Sequence, residues 1–173
     1  MIINETFFHG VIKIDGIFLG VGTPEATTSA TIGMLSSYIE QFEPEYLIEL
    51  FGGEMARLFM DYVYNEAEDK VAVERWDNLK DQLVFGLSAR PISPIAEYVY
   101  YYYVNGRQKS ATSEGVTIQQ NKPSNPTQEC VSAWNRMVKA NERIGIWIQE
   151  NKSTYPEWRK DENVFRYINL LGI

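Results

Sequence analysis

The sequence predicts a mainly α-helical fold, a bundle of about five helices, and three observations carry that prediction. Apolar residues recur at helical spacing through several long stretches. Pro, Gly and Asn stand at the ends of those stretches, where helices start and stop. Between them, Ser93-Pro94-Ile95-Ala96-Glu97-Tyr98-Val99-Tyr100-Tyr101-Tyr102-Tyr103 reads as a helix apolar on more than one face. Ile95, Val99 and Tyr102 share one face, and Ala96, Tyr100 and Tyr103 an adjoining one. Such a helix needs neighbours on more than one side, so the others are expected to pack around it. The chain divides into an N-terminal β-hairpin arm with linker (1–28), a helical core (29–150) with a long loop (106–125) between the last two main helices, and an extended C-terminal docking tail (151–173) with a short helix.

Residues 7–19 read as the hairpin. Two β-rich runs flank Asp15-Gly16, a strong tight-turn signal. Two strands alone are marginal in water, so the arm must lie on the helices or join another subunit's sheet. Gly20, Gly22 and Pro24 mark a loop. The first helix is expected over about 29–42, with Ile32, Leu35, Ile39 and Phe42 in its stripe. Pro44 opens the second, whose pattern runs from Leu47 to Val63 with Gly52-Gly53 inside it. Each glycine costs about 1 kcal/mol in a helix interior, so either the helix bends there or another backbone comes close.

The third helix is expected from Val73 to about Phe85, ended by Gly86. Ser93 is a natural cap and Pro94 suits a first helical position. The tyrosine helix is expected to stop near Asn105-Gly106. Asn125-Pro126-Thr127-Gln128 is a capping pattern for a fifth helix reaching about Glu150, with Val131, Trp134, Val138, Asn141, Gly145 and Ile148 along its seam. Beyond Asn151 the chain turns polar and carries stray aromatics, and residues 162–171 read as a short last helix. Aromatic side chains on a terminal tail point to docking.

One cysteine allows no internal disulfide, and a reduced, cytosolic setting fits. No apolar run approaches the ~20 residues of a membrane helix, and the first residues lack a signal peptide's basic and apolar regions, so no membrane partner is expected and the chain should be made in the cytoplasm. A net charge of −7 argues against coating nucleic acid through a broad basic patch. It is compatible with letting DNA slide past without sticking.

No enzymatic constellation emerges, and no cofactor or metal is expected. His9, the single histidine, has no ligand at metal spacing and reads as an ordinary strand residue. Cys130 has no histidine partner but His9 and reads as buried structural thiol. Gly16, Gly20 and Gly22 lack the Gly-Lys-Ser/Thr ending of a phosphate loop. Carboxylate pairs such as Glu40 with Glu43, or Asp61 with Glu66, read as exposed acids on helices rather than glycosidase pairs. The residues 98–103 with Trp134 form either a stacking platform for nucleic acid or, more simply, the packing between two helices. Arg107, Lys109 and Lys122 on the long loop either contact phosphates or are merely solvated.

Three segments together resemble a known family. Tyr38-Ile39-Glu40-Gln41-Phe42-Glu43-Pro44-Glu45-Tyr46-Leu47-Ile48-Glu49-Leu50-Phe51-Gly52, the Ser93–Tyr102 segment and Ala133-Trp134-Asn135-Arg136-Met137, in that order and spacing, are similar to the opening, central and last main helices of the head–tail connector proteins of tailed bacteriophages, also called adaptor or neck ring proteins. The likeness covers about residues 38–145, and the crAss-like phages, which stack several neck rings, are a home it suggests. The arm before it and the tail after Asn151 depart from the smallest relatives.

The resemblance implies a structural virion protein, a ring (usually a dodecamer) beneath the portal that extends the DNA channel and offers tail components a docking surface. Its implied partners are further copies of itself, the portal protein, tail-side ring or tail proteins, and passing genomic DNA without sequence specificity. Its implied location is the virion neck. On this reading Tyr155, Trp158, Phe165 and Tyr167 are expected at the portal or neighbour contact, Arg107, Lys109 and Lys122 at the lumen or next ring, and Tyr101, Phe7 and Val11 at the subunit seam. The alternative is a DNA-binding or packaging accessory protein that uses the tyrosine helix and the basic loop.

Overall fold

Leu35, Ile39, Glu43, Tyr46 and Leu47 recur every three or four residues, and all are buried. One continuous helix, α1 (Ala26–Phe51), carries them in the computed structural model, which describes residues 1–17, 26–64, 73–113, 126–159 and 165–169. Pro44 lies inside α1 and does not open a second helix as the sequence led us to expect. The missing N–H costs one backbone bond, but the buried stripe runs across the proline, and tertiary packing of that stripe decides. The break falls at Gly52, whose φ of 79° no other residue type adopts comfortably. Nothing lies within 4 Å of where its Cβ would be, so this glycine serves a turn and not a close approach.

Helix α2 (Gly53–Val63) buries Met55, Ala56 and Phe59, and α3 (Glu74–Leu83) buries Trp76, Leu79 and Leu83. The third helix thus stops before Phe85. The chain instead forms β1 (Phe85–Leu87) and β2 (Arg90–Ile92), an antiparallel pair joined through Ser88 and Ala89. This is the two-stranded element of the fold, among the described residues, and it lies between helices α3 and α4.

The expected N-terminal hairpin does not form across residues 7–17, and residues 18–19 lie outside the described residues. Two short 3-10 turns, Glu5–Phe7 and Gly10–Ile12, stand in its place. Asn4 caps the first by accepting the Thr6 N–H at 3.0 Å. Gly10 (φ 59°) and Gly16 (φ 91°) turn the chain. The apolar residues that read as strand, among them Phe8, Ile12, Ile14 and Ile17, are buried on the helices. Core burial satisfies the pattern without strand pairing. His9 is accordingly no strand residue: its Nε2 lies 2.9 Å from the carbonyl oxygen of Pro91 in β2.

Helix α4 (Pro94–Ser113) starts where Ser93 and Pro94 predict, with the Ser93 hydroxyl accepting the Ile95 N–H at 3.2 Å. It does not stop at Asn105-Gly106. A Cβ on Gly106 would collide with the Tyr38 hydroxyl, so this glycine makes room for a side chain of α1 instead of ending a helix. The expected loop therefore begins as helix, and residues 114–125 lie outside the described residues. Helix α5 (Pro126–Glu150) matches its expected limits.

Among the described residues five α-helices thus make the fold mainly helical. Helix α4 packs against α5 on one side and α1 on the other, which places the tyrosine helix at the centre as its apolar faces require. After α5 the chain turns back at residues 151–158 and lies on α3. Residues 165–169 are irregular, so the short last helix is absent there. Among the described residues no helix is long and apolar enough to cross a membrane.

Candidate assembly site

The tyrosines of α4 are mostly interior. Tyr98 is fully buried and its ring lies 4.8–6.3 Å from those of Phe42, Tyr46, Tyr102, Trp134 and Phe165. Tyr100 and Tyr103 are buried as well. This aromatic cluster locks three helices and the C-terminal segment together, and edge-to-face and offset pairs in it add to the area they bury. Beside it Arg136 of α5 reaches Glu97 of α4 with two bonds of 2.8 Å, a bidentate pair across the central interface. Burial pushes the Glu97 carboxyl up, and the Arg136 guanidinium holds it down in part.

Burial also raises the phenols of Tyr46, Tyr64, Tyr98 and Tyr100, the last to about 12. For Tyr64 and Tyr100 nearby carboxylates add to the effect. An unfolded tyrosine ionises near pH 10. These groups hold their protons in the fold and release them on unfolding. Their contribution to stability is therefore complete below about pH 10 and is lost as pH rises from there through the raised values. A series of urea midpoints from about pH 8 to about pH 11.5 should be level at first and then fall steeply. A midpoint unchanged above pH 10 would show that these phenols are not buried as described.

The C-terminal segment 165–169 lies along α5, in a groove whose aromatic end is formed by Tyr46 of α1, Tyr98 of α4 and Trp134 of α5. Phe165 sits 5.6–6.1 Å from the rings of Tyr46, Tyr98 and Trp134. The Trp134 indole N–H donates to the Arg166 carbonyl at 2.7 Å. Asn135 takes both main-chain groups of Ile168: its amide N–H donates to the carbonyl at 2.9 Å, and its Oδ1 accepts the N–H at 2.8 Å. The Tyr167 hydroxyl donates to Glu142 at 2.9 Å. Three polar side chains of α5 thus hold a length of extended chain, two of them through its backbone.

The N-terminal segment is held differently. Glu43, fully buried on α1, accepts the Ile2 N–H (2.8 and 3.0 Å), the Ile3 N–H (3.0 Å) and the Tyr64 hydroxyl (2.8 Å). The expectation of exposed acids fails at Glu43, while Glu40 is exposed. The sequence gives one retrospective signal: Glu43 falls in the same stripe as Leu35, Ile39 and Leu47.

The residues singled out from sequence scatter. Tyr155 and Trp158 belong to the chain's own interior, not to a free tail. Tyr155 packs between Trp76 (6.1 Å) and Trp147 (5.4 Å), and its hydroxyl donates to the Arg75 carbonyl. Phe165 is half-buried in its groove and Tyr167 is 53% exposed. Arg107 lies on α4 rather than on a loop, and donates to the Tyr103 hydroxyl at 3.2 Å. Lys109 falls on α4 with its side chain outside the described residues, and Lys122 lies outside them altogether. Of the seam residues, Tyr101 is half-buried against Trp134 at 4.7 Å, Phe7 is buried, and Val11 is 69% exposed. Cys130 is buried as expected, and burial pushes its thiol up to about 11.

Sequence reasoning missed the β1–β2 hairpin. Pro91 has no N–H, so the Gly86–Pro91 pair must be the one that exchanges no hydrogen bonds, and its polar groups point outward. On the β2 side His9 occupies the Pro91 carbonyl. On the β1 side the Gly86 N–H and C=O face away from β2, among the described residues no further strand pairs with β1, and the neighbouring Leu87 is 75% exposed. Proline is tolerated at such an edge position, which needs no donor. Comparison with protein-family models, with curated proteins and with solved structures finds no match to this chain.

Proposed function

We propose that this chain is a structural subunit of a bacteriophage neck, a head–tail connector that assembles as a ring beneath the portal, extends the DNA channel and receives tail components. The resemblance of residues 38–145 to connector helices motivates the reading, and the observation that carries it is exposed apolar surface on separate elements. Leu87 on β1, Val11 on the second 3-10 turn, Ile146 on α5 and Met34 on α1 are all about half exposed or more. A ring repeats one head-to-tail contact, which needs two different patches on each subunit. The edge of β1 that faces away from β2 is a further place for a neighbour to bind. A subunit of net charge −7, repeated around an axis, repels DNA phosphates and keeps a channel from binding its cargo.

The DNA-binding alternative loses support from the burial of Tyr98, Tyr100 and Tyr103, since stacking needs accessible ring faces. The test is the mass in solution, with and without the portal protein. A closed ring, alone or on adding portal, is the expected result. A monomer indifferent to portal would overturn the proposal, and strong salt-dependent retention on DNA resin would favour the alternative.

A further inference from the structure

We infer that the outer edge of β1 is a docking site for an extended segment of a partner protein, paired antiparallel, with an apolar residue opposite Leu87 and an acidic residue opposite Phe85. The inference rests on the geometry of the β1–β2 pair. The connector reading supplies only its setting, a surface that receives another component. The two edges of the pair differ. On β2, Pro91 withholds a donor, Arg90 adds charge, and His9 occupies the Pro91 carbonyl at 2.9 Å. Proline, charge and a covering segment are the devices by which sheets keep other strands off an edge. The strand β1, Phe85-Gly86-Leu87, carries neither proline nor charge, and all three residues are exposed. Gly86 turns its N–H and C=O away from β2, and among the described residues no further strand takes them. A residue opposite Gly86 on an added antiparallel strand would exchange both hydrogen bonds with it.

Phe85 and Leu87, two residues apart, share one face of the strand. Phe85 also lines a cavity of about 300 Å³, whose other walls are Asp81 and Gln82 of α3 and Ala140, Arg143 and Ile144 of α5. The Arg143 guanidinium lies 5.8 Å over the Phe85 ring. Among the described residues no carboxylate pairs with it, Asp81 included. A carboxylate arriving opposite Phe85 would match that charge. An apolar residue opposite Leu87 would cover the most exposed side chain of the strand. A second copy pairing β1 with β1 fits less well. It would set Phe85 opposite Leu87, bring no carboxylate, and place two Arg143 side chains on one face of the sheet, where like charges repel. The segment that fits reads apolar, any residue, acidic, with the middle residue opposite Gly86.

Gly86 is a poor place to block the edge, because its φ is 95° and a Cβ there would lie 3.0 Å from the Arg90 carbonyl oxygen. The block goes on the ligand. The probe is a dye-labelled peptide, Thr-Thr-Leu-Thr-Glu-Thr-Thr with capped ends, titrated with the full-length chain and read by fluorescence anisotropy. N-methylation of the threonine between Leu and Glu removes the N–H that would reach the Gly86 carbonyl, and should weaken binding about tenfold or more. N-methylation of the Leu, whose N–H points away from β1, should leave it unchanged. Replacing the peptide's Glu with Lys should weaken binding about fivefold, and the exposed-site variant Arg143→Glu should reverse that preference. No saturable binding up to about 1 mM peptide overturns the site. Equal binding of the two N-methylated peptides overturns the strand pairing, and a Glu preference that survives Arg143→Glu overturns the acidic partner. A ring formed by a chain that binds no peptide leaves the connector reading standing and the edge site refuted. Peptide binding by a chain that stays monomeric with portal present does the reverse.

Discussion

Replacing Glu43 with alanine is expected to lower the free energy of unfolding by about 3–5 kcal/mol. Its carboxylate is the shared acceptor for the Ile2 N–H, the Ile3 N–H and the Tyr64 hydroxyl. A hydrogen bond to a charged group contributes roughly 1.5–3 kcal/mol, and three donors on one acceptor act less than additively. Alanine leaves those donors buried without a partner. It also frees the start of a segment that buries Ile2, Ile3, Phe7 and Phe8. Glu43→Gln is the informative companion. It keeps the shape and one acceptor oxygen but turns an N–H₂ toward the donors, so its loss should fall between alanine and the parent. Urea unfolding gives the magnitudes, and amide exchange at Ile2 and Ile3 should speed up in both variants. A Glu43→Gln chain within about 0.5 kcal/mol of the parent, with exchange unchanged, would mean the carboxylate does not hold the N-terminal segment.

That role explains part of what the sequence left illegible. Helical spacing gave the class, the helix count and the central position of α4, because apolar periodicity reports burial directly. Ser93-Pro94 and Asn125-Pro126 marked the starts of α4 and α5, since capping is a local matter of orphan N–H groups. The errors lie where a distant contact decides. Pro44 breaks helices locally, but a stripe buried on both sides of it holds α1 together. Asn105-Gly106 is a stop signal locally, but Tyr38 occupies the space over Gly106. The N-terminal run has strand composition, yet the helices bury it without a pairing partner. The candidate groove was invisible for the same reason: Asn135 and Ile168 are 33 residues apart, and nothing near either one announces the other.

Truncating Tyr155 to alanine is expected to cost about 3–5 kcal/mol, the range for deleting a large aromatic from a packed interior. The residue sits in the polar stretch after α5, where sequence alone makes it a docking anchor for another protein. Its surroundings make it an anchor for α3. The ring fills the space between Trp76 of α3 and Trp147 of α5, and the hydroxyl binds the Arg75 carbonyl. Nearby, Arg75 lies 4.0 Å over the Trp76 ring and pairs with Glu157 at 3.0 Å, so the turn at 151–158 and the first turn of α3 form one unit. Tyr155→Phe should cost only about 1 kcal/mol, the hydroxyl's single bond. The two variants separate the roles. If Tyr155 were a partner contact on a free tail, alanine would leave unfolding unchanged and weaken only assembly. If it belongs to the core, alanine lowers the urea midpoint of the isolated chain and speeds amide exchange in α3 before any partner is present. The same logic predicts that deleting residues 152–173 destabilises the domain itself, because that deletion withdraws Tyr155 and Trp158 from the interior along with the segment on α5.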